Sequence, residues 1–203
     1  LLEKAKCRYH ISQLSSQKSL DVIKHRKELV KFTTGVSINN LSLNENDIGD
    51  FRTFLKLSPP LRTEEDRIAL VQGLKDELID VIVSDHKPED EESKRLTFSQ
   101  AATGASGIET LLSLSLELYH NESLKLETII KALTSNPAKI LKIDKGNLSI
   151  GNDADLCIVD INKPWIVKKE RLISKSKNTS IEDKKLQGKV INTFVKGKEL
   201  FKL

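Results

Sequence analysis

Asp85 and His86 follow directly on a β-forming run, Ile79-Asp80-Val81-Ile82-Val83-Ser84. A carboxylate at the mouth of a parallel strand can bind a divalent metal, which holds it ionised, and can also shuttle a proton. The same side chain could instead cap a helix or close a loop salt bridge. His10 sits at the end of another strand-like run, Arg8-Tyr9-His10-Ile11-Ser12. Neutral imidazole is the commonest zinc ligand, although a lone histidine is more often structural. His25 and His120 lie in charged or polar helical stretches and read as solvated surface residues. Cys7 and Cys157 have no C-x-x-C spacing and read as small core residues in a reducing, cytoplasmic setting. His10, Asp85 and His86 do not complete a zinc site, because catalytic zinc takes three protein ligands and a two-metal site more.

The elements that must position these residues follow a strand–helix rhythm. Ser15-Ser16 can cap a helix carrying Leu20, Ile23 and Val30 at roughly helical spacing, and Leu29 to Val36 is β-rich. Pro59-Pro60 forces an extended path, and Thr63 then caps a helix with Glu64, Glu65 and Asp66 in its first turn. Ile68, Val71, Leu74 and Leu78 are its expected buried face. Strand, helix, strand, helix, strand is the pattern of a parallel sheet with crossover helices, whose chemistry lies at the strands' C-terminal ends. Gly107 to His120 and Leu124 to Leu133 read as further helices, with Asn136-Pro137 breaking the second. From Lys145 the character changes to short strands with glycine turns, ending in a hairpin around Lys196-Gly197. The expected division is an α/β portion, residues 1–143, and a small β portion, residues 144–203.

Composition bounds the rest. At 203 residues, 38% hydrophobic and 31% charged, the chain can bury a core and is neither disordered nor collagen-like. No apolar run is long enough to span a membrane, and Leu1-Leu2-Glu3-Lys4-Ala5-Lys6 lacks a secretory signal's apolar core. The +4 net charge is spread among mixed acids and lysines with 4% aromatics, which argues against nucleic-acid binding. There is no methionine, so the expectation is a piece of a longer protein.

Several stretches, in order, resemble the dihydroorotase branch of the amidohydrolase superfamily, class I type. His10-Ile11-Ser12 with Ser15 resembles its His-Val-Ser-Thr segment, and Lys56 to Arg62 its Lys-x-Asn-Pro-Pro-Leu-Arg. Ile79 to Pro88 resembles Ile-Asp-x-Ile-x-Thr-Asp-His-Ala-Pro, and Gly104 to Thr110 the glycine loop and helix start that follow. Asn136-Pro137-Ala138 with Gly146 to Asp155, and then Ser176 to Thr179 with Gly188 to Gly197, are similar to the C-terminal tail.

The resemblance implies strands six to eight of a metal-dependent (β/α)8 barrel and the C-terminal half of a composite β-sandwich. It implies one or two zinc ions, with His10 and Asp85 as the ligands present and the others upstream of Leu1. The implied reaction is reversible cyclisation of N-carbamoyl-L-aspartate to L-dihydroorotate in pyrimidine synthesis. Asp85 would take a proton from the attacking metal-bound water and pass it to the departing nitrogen. Substrate contacts carry over to Ser58, Asn40, Glu89 and Gly104. Ser58 stands for the family's asparagine, Glu89 for a histidine, and Ser37-Ile38-Asn39-Asn40 for Thr-Pro-His-His; Glu89 would repel an anionic carboxylate.

Two alternatives remain at this point. One is a non-catalytic dihydroorotase-like subunit that scaffolds aspartate carbamoyltransferase, and the other is a cyclic amidase of hydantoinase or allantoinase type. The expected partners are a small-molecule substrate, the missing N-terminal half of the barrel and further copies in a homo-oligomer. The 203 residues alone are expected to be inactive. Their open sheet edges should drive pairing or aggregation.

Overall fold

A computed structural model describes Lys4 and residues 7–203. The remaining residues of the N-terminal run read above for a secretory signal lie outside the described residues. Strands β1 (His10–Leu14), β2 (Thr33–Ser37) and β3 (Val81–Val83) pair in parallel in that order. Parallel neighbours need long crossovers, and helices supply them. Helix α1 (Gln17–Lys27) starts at Ser16, whose hydroxyl accepts from the Ser19 amide at 3.3 Å. A single buried turn, α2 (Ile38–Ser42), leaves β2 directly. Helix α3 (Glu64–Lys75) starts at Thr63, whose hydroxyl accepts from the Asp66 amide at 3.3 Å.

Helices α1 and α3 pack side by side on the sheet. Leu20 and Ile23 of α1 meet Leu70, Val71 and Leu74 of α3 in the core, and each such leucine contributes about 1.5–3 kcal/mol by leaving water. Gly73 permits the approach, since a Cβ there would stand 3.0 Å from a Leu20 methyl. Ile68, expected on the buried face, is 54% exposed. At 100° per residue it lies about 200° around the helix from Leu70, and so turns to solvent.

Beyond β3 come α4 (Glu91–Lys94), α5 (Leu111–His120), α6 (Leu126–Leu133) and α7 (Ser135–Leu141). Helix α6 packs against β3. The break before α7 falls at Thr134, and Pro137 occupies the first turn, where the missing N–H is not needed. The second sheet is antiparallel, β4 (Leu156–Ile166), β5 (Lys185–Val195) and β6 (Lys198–Lys202). Its hairpin turns on Lys196 and Gly197, both at positive φ (50° and 77°), as a tight two-residue connection requires.

The two sheets fall on either side of residue 144, but the core is shared. Val167, Leu172, Ile181 and Leu186 belong to the same apolar cluster as the α/β helices. Ser113 of α5 donates to the Gly188 carbonyl at 2.7 Å and accepts from the Trp165 indole at 3.1 Å. His120, expected on the surface, is half-buried, with Nε2 2.9 Å from the Ile161 carbonyl oxygen. Both cysteines, expected in the core, are exposed. Among the described residues, no helix is long and apolar enough to cross a membrane.

Lys94 at the end of α4 is 2% exposed. Its ammonium donates to the carbonyls of Thr53 (3.0 Å) and Ala102 (2.7 Å), clamping two loops together. Burial pushes its pKa down to about 8, while Glu89 opposes that shift. A lysine whose pKa is lowered by folding penalises the folded state fully below about pH 8, and the penalty is relieved as pH rises toward the ordinary value of 10.5. Denaturant unfolding of the full chain should therefore show the parent gaining stability relative to Lys94→Met between those two pH values, by at most about 1.4 kcal/mol per pH unit. A difference independent of pH across that window would contradict the assignment.

Candidate active site

Three adjacent strand ends converge on one carboxylate. Val81–Val83 ends two residues before Asp85, where the backbone enters the left-handed region (φ 49°). Aspartate tolerates that conformation better than most residues. The turn sets the Asp85 carboxylate against its two neighbours in the sheet. Gln13, near the end of β1, donates its side-chain amide to Oδ1 at 2.8 Å. Ser37, the last residue of β2, donates its hydroxyl to Oδ2 at 3.3 Å. An ionised carboxylate only accepts, so both neutral donors suit it. Gly35 allows the two strands to close up beneath them, since a Cβ there would fall 2.5 Å from the Ser12 carbonyl oxygen.

His10 stands at the other end of β1. It pairs with Thr33, the first residue of β2, whereas Ser37, the last, is level with Val83 of β3. The four steps from Thr33 to Ser37 amount to about 13 Å along the strand. His10 Nδ1 is 2.8 Å from the Thr33 hydroxyl. Strand register thus sets the backbones of His10 and Asp85 at different levels along the sheet. The β1 side chain that reaches Asp85 is Gln13, three residues further on. His86 Nδ1 accepts from the amides of Gly107 (3.1 Å) and Ile108 (3.3 Å), which puts its proton on Nε2 and fixes the loop before α5.

The other expected site residues disperse. Ser58 is exposed on its loop. Asn40 is buried and donates to the Pro60 carbonyl at 3.0 Å, so its amide anchors the proline loop and is not presented to solvent. Gly104 is buried at φ 142°, a conformation suited to glycine, and a Cβ would collide with the Lys87 carbonyl oxygen at 2.5 Å. Glu89 is half-buried, 3.9 Å from the Lys87 ammonium.

Glu89 and Gly104 are both held by Asn178, a residue that spacing did not single out. Its side-chain oxygen accepts from the Glu89 amide (3.3 Å) and from the Ser106 hydroxyl (3.4 Å). Its NH2 donates to the Gly104 carbonyl (3.2 Å), and its own carbonyl accepts from the Ser106 amide. Ser37 carried a readable signal as the polar end of an apolar strand. Gln13 was readable only through its distance along β1.

The sequence matches the amidohydrolase family over residues 3–200, and the chain belongs to that family. Its curated relatives are named dihydroorotases, as the resemblance implied. The Ehrlichia canis dihydroorotase is 43% identical over 194 residues, covering 95% of this chain and 43% of the relative. The chain therefore spans about half the length of the curated relatives it matches. Among solved structures, the L-hydantoinase (dihydropyrimidinase) from Arthrobacter aurescens superposes with a TM-score of 0.93 at 27% identity, over 99% of this chain and 46% of that one. The inactive dihydroorotase-like domain of the Chaetomium thermophilum CAD-like protein superposes with a TM-score of 0.71 at 20% identity, over 98% and 52% of the two chains. The enzyme class to which these relatives point is cyclic amide hydrolase, and the fold matches that of the L-hydantoinase over nearly all of this chain.

Amidohydrolases are generally metal-dependent, but the residues around Asp85 do not fit a zinc ion. One carboxylate stands there with an amide N–H and a hydroxyl already directed at it. Among the described residues, no group of three or more His, Cys, Asp or Glu side chains could hold a metal. Asn178 is the joint that fixes the loops flanking Asp85. Asn178→Ala should destabilise the chain by about 1–3 kcal/mol, because it strands buried polar groups. Hydrogen exchange should lose protection in residues 86–107 while α3 keeps it, and uniform loss would contradict a local role.

Proposed function

We propose that this chain supplies strands six to eight and the C-terminal sandwich strands of a dihydroorotase-type cyclic amidohydrolase. The complete protein would interconvert N-carbamoyl-L-aspartate and L-dihydroorotate. The observation that carries this reading is Asp85 at the C-terminal ends of the parallel strands, oriented from both sides by Gln13 and Ser37. In the hydrolytic direction Asp85 takes a proton from the attacking water and returns it to the departing ring nitrogen; cyclisation reverses both transfers. Gln13 and Ser37 hold the acceptor oxygens in place. Any metal would depend on ligands from outside this chain, and no step here is assigned to one.

The second reading, a dihydroorotase-like subunit that is silent itself and holds aspartate carbamoyltransferase, is favoured by one specific feature. The amide of Gln13 and the hydroxyl of Ser37 meet Asp85 where a ligand or substrate would otherwise approach. The two readings separate in the complete protein, in a cytoplasmic setting or reconstituted. Asp85→Asn should lower dihydroorotate hydrolysis by at least about 100-fold, the usual scale for a general acid–base residue. Far-ultraviolet circular dichroism should be unchanged. Turnover unaffected by the substitution would overturn the catalytic assignment, and no turnover in the parent would favour the scaffold.

A further inference from the structure

We infer that Gln13 makes the Asp85 pole a closed, metal-free hydrogen-bonded site, with Gln13 as a positioning residue that keeps divalent cations off the carboxylate. A first-row cation needs lone pairs that are free and several ligands, of which more than one is normally anionic or imidazole. At this pole the formal charge comes from Asp85. Oδ1 faces the Gln13 amide N–H at 2.8 Å and Oδ2 faces the Ser37 hydroxyl at 3.3 Å. Turning the Gln13 amide over would set its oxygen against an ionised carboxylate, a repulsive arrangement that the N–H orientation avoids. The nearby imidazoles are engaged elsewhere. His86 Nδ1 receives two backbone amides, and His10 lies at the far end of β1.

This inference does not rest on ring hydrolysis. It leaves proton transfer by Asp85 intact and removes Asp85 from metal ligation. Gln13→Glu tests it most directly, because the exchange is nearly isosteric and turns the donor into a second carboxylate facing Asp85. Two opposed carboxylates repel unless a cation bridges them.

The full chain would be titrated with Zn2+ and Co2+ by calorimetry, with circular dichroism as the folding control. Asp85→Asn should leave the parent's affinity for either ion within about twofold. Gln13→Glu should raise it at least tenfold, and Gln13→Glu/Asp85→Asn should lose that gain. Should Gln13→Glu fail to fold, Gln13→His serves the same purpose. A tenfold fall in the parent's Zn2+ affinity on Asp85→Asn would overturn the inference. So would a folded Gln13 variant with no gain, since the amide would then not be what excludes the ion.

Discussion

The parallel register of β1, β2 and β3 is the constraint on which the site depends. Because Ser37 lies level with Val83, a single left-handed residue beyond β3 brings the Asp85 carboxylate over the end of β2. The register shift in β1 between Ile11 and Leu14 lets Gln13 reach the same point from the other side. Register in a buried sheet is fixed strongly, since a one-residue slip would turn Val36 and Ile82 to the opposite face of the sheet. At the opposite end Asp80 reinforces it. Its carboxylate accepts from the Thr34 amide at 2.7 Å and from Lys27 at 2.9 Å, and its carbonyl accepts from Asn136 at 2.8 Å. Two aspartates five residues apart thus do opposite work: Asp80 locks the sheet and Asp85 presents a charge.

The segment between β4 and β5 completes the pole. It leaves the second sheet, places Val167, Leu172 and Ile181 in the common core, and carries Asn178 to the loops after β3. Ser180 donates to Asn39 of α2 at 2.9 Å, and Thr179 bridges to Ser106. A buried polar side chain such as Asn178 is worth retaining only when nearly all its hydrogen bonds are made, and here they join three separate loops. The second sheet is therefore coupled to the geometry around Asp85, and is not an appendage to it.

Much of the fold was legible because it rests on local rules. Ser16 and Thr63 cap helices where the sequence places caps, and Lys196-Gly197 turns the hairpin as its positive φ values demand. Asp85 was legible for the same reason, as a charge at the end of an apolar strand. Strand pitch and long-range pairing were not legible. His10 and Gln13 are both polar residues of one short strand, and only the register with β2 decides which of them reaches the pole. Asn178 is bonded to residues more than seventy positions away, a separation no periodicity reports. The cysteines were expected in the core by residue type and Ile68 by its place on a helix face, and all three are exposed.

The departures at the pole point the same way. An imidazole or a second carboxylate at Gln13 would be a ligand; an amide donating to Asp85 neutralises the demand for one. Asn39 and Asn40 are turned inward, where one binds Ser180 and the other Pro60. Each of those bonds uses one half of the amide, the Asn39 oxygen and the Asn40 NH2. At the strand ends Gln13 and Ser37 meet Asp85, while Asn39 Nδ2 and Asn40 Oδ1 are buried without a hydrogen-bond partner. Asp85 remains the charge around which that arrangement closes. Its availability to a substrate then depends on how readily the Gln13 and Ser37 hydrogen bonds give way.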